Sequence, residues 1–113
     1  MTFDINDKTA IITYEGSNTI GRPFRDEIIS NYKFFSSLNI IIDLTPMKSV
    51  LPKHIYDFTE LASRHKEQSD KSFVIVSGPI ALRLLPDSLN VVPTLHEALD
   101  TIEIEEIERD LGF

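Results

Sequence analysis

The chain has 113 residues, 42% of them apolar and 26% charged, and no cysteine, which describes one ordinary globular domain over 1–113 and excludes disulfides, thiolate metal sites and cysteine nucleophiles. The net charge of −7 is uneven: residues 1–96 carry eleven acids and ten bases, whereas 97–113 carry seven acids and only Arg109. A pI near 4.8 without a basic cluster argues against nucleic acid and anionic membrane surfaces, and no apolar run approaches the roughly 20 residues of a membrane helix, so the expectation is a cytoplasmic chain with a protein or small-molecule partner.

TFDIN at residues 2–6 alternates as a strand does, Asp7 and Lys8 form a polar corner, and TAIITYEG supplies β-branched and aromatic residues for a second, antiparallel strand. GSNTIG, 16–21, is turn punctuation. Pro23 then suits a first helical turn, and Phe24, Ile28, Tyr32 and Phe35 predict an amphipathic helix over about 22–36. The continuous apolar run from Asn39 to Leu44 predicts a strand covered on both faces. Pro52 starts a second helix to about 68, with Ile55, Phe58, Leu61, Ala62 and His65 along one side.

SFVIVS, 72–77, reads as another buried strand; Gly78 and Pro79 break it, and Ile80 to Leu85 suggest a short helix before Pro86. Asn90–Val92 gives one more short strand. Thr94 and Glu97 have the spacing of a capping box, predicting a final helix at about 95–111 whose apolar face runs through Ala98, Leu99 and Ile102 toward Ile107 and Leu111. Such alternation predicts an α/β fold: a mixed sheet with a parallel core, right-handed crossovers and about four flanking helices.

IIIDLTPM, the helix after it, FVIVSG, RLLPDSL and NVVPTLHEAL together resemble the STAS domain, the module of anti-sigma factor antagonists and of the cytoplasmic tails of anion transporters. The resemblance implies a STAS-like fold and a non-catalytic bacterial regulator that works through protein–protein interaction with an anti-sigma or kinase-like ATPase. In STAS antagonists an Asp-Ser pair at the helix start carries the phosphoacceptor; here Leu51, Pro52 and Lys53 occupy that location, and proline offers no hydroxyl. The ending EALDTIEIEEIERDLGF also resembles short STAS-like proteins sometimes labelled ribonuclease Z. The His-x-His-x-Asp-His motif of that enzyme is missing, since His54, His65 and His96 stand apart, so the resemblance nominates a tRNA-processing nuclease as a partner rather than an activity.

Ser49 is the remaining hydroxyl in the 46–53 loop, a candidate regulatory phosphorylation site whose plainer role is in the turn. Lys48, Lys53 and His54, with Asp57 on the same helix, could meet an acidic partner or a phosphate, which keeps a small-anion or nucleotide sensor as the alternative function. Asp43, ending its strand, is expected to organise the turn by accepting from following N–H groups. His65 and His96 lack companions at metal-ligand spacing, and no Gly-rich phosphate loop or Gly-x-Ser-x-Gly elbow occurs, so no cofactor, metal or catalytic residue is expected. In the tail, Glu105 and Glu106 are expected on a solvated face. Ile104, Ile107, Leu111 and Phe113 serve either as the inner face of a docked helix or as a ligand for a partner groove with a basic rim, on a chain that is a monomer or weak dimer.

Overall fold

The computed structural model describes residues 2–15, 22–47, 49–78, 80 and 82–112, with backbone alone for Arg22 and Leu82. The turn expected over 16–21, together with Lys48, Pro79 and Phe113, lies outside them. Five strands form one sheet in sequential order: β1 (Thr2–Asn6), β2 (Thr9–Thr13), β3 (Asn39–Asp43), β4 (Phe73–Val76) and β5 (Asn90–Val92). β1 and β2 are antiparallel across a two-residue corner in which Asp7 takes a left-handed φ of 57°; every later neighbour is parallel. The expected α/β class and mixed sheet are what the chain forms.

Sequential parallel strands with right-handed crossovers place the connecting helices on one face. There α1 (Arg22–Ser30), α2 (Pro52–Tyr56) and α3 (Thr59–Ser69) cover Ile12, Ile40, Ile42, Phe73 and Ile75 with Phe24, Ile28, Ile55, Phe58 and Leu61. The opposite face, with Ile41, Val74 and Val76, is covered by α4 (Leu95–Asp110) through Ala98 and Ile102. The unbroken apolar runs of β3 and β4 are thus split residue by residue between two layers.

Two predicted helices are interrupted. The first ends at Ser30, where the Asn31 N–H is shared between the Glu27 and Ile28 carbonyls and Asn31 Nδ2 also donates to Glu27 O; a 3-10 turn at Tyr32–Phe34 then carries the chain to buried Phe35. The second breaks after Tyr56, where Phe58 N–H reaches back three residues to Ile55 O, and α3 resumes at Thr59. This tighter turn lets Ile55 and Phe58 both be fully buried. The short helix before Pro86 is a 3-10 turn at Leu82–Leu84.

His65 is fully buried on α3 and both ring nitrogens are engaged: Tyr32 Oη lies 2.6 Å from Nδ1, and the Leu38 carbonyl 2.8 Å from Nε2. The carbonyl can only accept, so Nε2 carries the proton and Nδ1 accepts from Tyr32. Burial pushes the imidazole below its usual pKa, opposed by the Leu38 carbonyl, and burial raises that of Tyr32. The fold therefore favours neutral His65. Its contribution is complete above the unfolded value of about 6.5 and declines as pH falls through that value toward the lower folded one. Urea midpoints should drop between pH 7.5 and 5, and less steeply in His65→Gln, which should itself cost about 1–3 kcal/mol at neutral pH. Equal pH slopes in the two chains would refute this role.

Candidate interaction surface

The loop after β3 is built by its first residues. Asp43 Oδ1 accepts from the Thr45 N–H at 2.9 Å and the Thr45 hydroxyl at 2.7 Å, so the carboxylate organises the turn as expected. Leu51 is the N-cap of α2, and Pro52 stands in its first turn. His54 Nδ1 accepts from the Leu51 N–H at 3.0 Å while its own N–H donates to Leu51 O at 2.9 Å. Burial, then Lys53, lower the His54 pKa against the opposing pull of Asp57, in keeping with a ring nitrogen that must accept. The imidazole thus engages the Leu51 N–H at the start of α2, beside the place where the alternative reading puts a small anion. Ser49 and Lys53 are exposed nearby, and Asp57 is half-buried at the C-terminal end of α2. At the end of β4, the Ser77 hydroxyl is buried without a hydrogen-bond partner among the described residues.

α4 begins where Thr94 Oγ1 accepts from the Glu97 N–H at 3.1 Å, the hydroxyl half of the predicted box. It runs antiparallel to the strands, back toward their N-terminal ends, and is fixed there by a polar cluster. Asn39 is fully buried at the start of β3, and its Oδ1 accepts from the Ser72 N–H at 2.9 Å and from Arg109 Nη2 at 3.2 Å. Its Nδ2 donates to Glu106 Oε1 at 2.8 Å, and Arg109 Nη1 donates to Ser72 Oγ at 3.1 Å. Glu105 lies 3.4 Å from Asn90 Nδ2.

This corrects two expectations about the tail. Glu105 and Glu106 are half-buried against the sheet rather than solvated. Ile107 and Leu111 do not continue the face of Ala98 and Ile102: five residues of helix turn about 500°, so Ile107 points away from Ile102. Ile104, Ile107 and Leu111 instead form an outer stripe, 57%, 52% and 66% exposed, with Glu103 and Glu108 exposed beside it.

The predicted residues thus fall into two groups. Ser49, Lys53, His54 and Asp57 lie beyond the C-terminal end of β3, with α2 on one face of the sheet. Ile104, Ile107 and Leu111 lie toward the opposite end on the other face. Sequence reasoning missed Asn39, Ser72 and Glu106 as anchors, although an Asn opening an apolar strand and a lone Arg in an acidic tail were both visible signals. Among the described residues, no three His, Asp or Glu side chains converge to hold a metal, and no helix is long and apolar enough to cross a membrane. No protein-family model and no curated protein matches the chain.

Proposed function

We propose that the chain is a non-catalytic, STAS-like interaction module whose α4 docks a protein partner through Ile104, Ile107 and Leu111. One observation carries this reading: a helix already anchored by its inner face presents a second apolar stripe to solvent, with acids beside it. A stripe the fold does not use is suited to a groove on another molecule, and its glutamates to a basic rim that steers the encounter. The STAS-like part is supported by the antiparallel hairpin that leads into sequential parallel strands, and by the final capped helix. The partner class it suggests is an anti-sigma or kinase-like ATPase. With Leu51, Pro52 and Lys53 where the family places its phosphoacceptor, regulation would run through occupancy of α4 rather than a phosphoswitch there.

Affinity capture from host lysate, with the full chain beside Ile104→Ser/Ile107→Ser, tests the proposal. A protein retained by the first and lost from the second, at unchanged thermal midpoint, is the expected result. Equal capture by both chains, or substrate turnover by the purified protein, would overturn it.

A further inference from the structure

None of the five residues of β1 is buried, and β1 ends the sheet, paired with β2 alone among the described residues. The direction of its backbone groups follows from hydrogen bonds further in. Tyr14 N–H donates to Asp43 O at 3.0 Å and Lys8 O accepts from Asn39 N–H at 2.8 Å, so residues 8 and 14 flanking β2 address β3. Backbone direction alternates along a strand, so Ala10 and Ile12 also address β3, whereas Thr9, Ile11 and Thr13 address β1. Their partners are Asn6, Asp4 and Thr2. Phe3 and Ile5 therefore turn their N–H and C=O groups to the free edge.

The same two residues carry the strand's apolar side chains. Phe3 meets Phe35 edge-on at 5.1 Å, yet Phe3 and Ile5 remain 43% and 48% exposed. Of the usual defences of an edge the strand carries only one charge, Asp4: TFDIN has no proline and no lysine, and its register with β2 is unbroken.

We propose that this edge pairs antiparallel with the same edge of a second copy of the chain, about a two-fold axis through Asp4. In that register Phe3 of each copy faces Ile5 of the other, and each such pair exchanges both of its N–H···O bonds. The edge is self-complementary: its outward donors and acceptors sit at residues 3 and 5 and match those of its own rotated copy. The pairing joins two five-stranded sheets into one of ten strands and brings Phe3 and Ile5 together across it. Asp4 faces Asp4 of the other copy on the axis, and this repulsion together with the small contact makes the dimer reversible and dependent on concentration. The surface is separate from α4 and independent of the function proposed for it.

Sedimentation velocity on the full chain over a concentration series tests the pairing. The wild type should self-associate, Ile5→Lys should stay monomeric, and Asp4→Asn should associate roughly three to five times more tightly. Both altered side chains are exposed, and matching circular dichroism melts would show that the fold is intact. A wild-type chain that stays monomeric throughout, a dimer that survives Ile5→Lys, or one abolished instead by Ile104→Ser/Ile107→Ser would overturn the proposal.

Discussion

Phe58→Ala should cost about 3–5 kcal/mol, a large share of the roughly 5–15 kcal/mol that holds a domain of this size folded. Phe58 is fully buried at the junction of α2 and α3, its ring edge-on to Phe24 at 6.1 Å, and it reaches the core through the tight turn between the helices. Truncation leaves a cavity beneath two helix ends that the surrounding sheet cannot easily collapse to fill. Tyr56→Ala, two residues away, is the comparison: that side chain is 49% exposed and donates one bond, to Leu84 O at 3.1 Å, so the loss should be about 1 kcal/mol or less. Denaturant unfolding of both variants measures the contrast. Similar losses would mean that the burial of Phe58 at the helix junction contributes no more than an exposed ring.

Asn39→Ala should cost about 2–4 kcal/mol, more than an ordinary buried hydrogen bond, because its partners are left behind. The Ser72 N–H loses its acceptor in a buried place, and Arg109 and Glu106 lose the group between them. The damage should also be local. Hydrogen exchange at residues 103–110 should accelerate well beyond that of β3 and β4, because the C-terminal half of α4 is held to the sheet by this cluster rather than by apolar contact. Uniform acceleration across the molecule would argue that the cluster does not anchor the helix separately.

The two central strands were legible in the sequence because their burial is written in composition: Asn39 to Leu44 reads as a run covered on both faces and 72–77 as another buried strand, and β3 and β4 lie within them. The start of α4 was legible from Thr94 and Glu97, and the start of α2 from Pro52. The break between α2 and α3 was not, because no glycine or proline marks it and its cause is the depth to which Ile55 and Phe58 must both reach. The faces of α4 were misread for a related reason. Of the two readings open for Ile107 and Leu111, inner face or partner ligand, the inner one fails, because the positions that meet the sheet beyond Ile102 are Glu105, Glu106 and Arg109, whose partners come from β3, the residue before β4, and β5. A polar contact between residues 67 or 70 positions apart leaves no periodic trace. The division of the candidate residues between two ends of the molecule depended on which way α4 turns.

The most direct measurement is the dissociation constant of a partner captured through α4, titrated against the wild-type chain and against Ile107→Glu at low and moderate salt. The account predicts that the substitution weakens binding by tenfold or more and leaves the thermal midpoint within a few degrees, and that binding to the wild type weakens as salt screens the glutamates beside the stripe. An unchanged dissociation constant in Ile107→Glu would contradict it and place the partner on another surface.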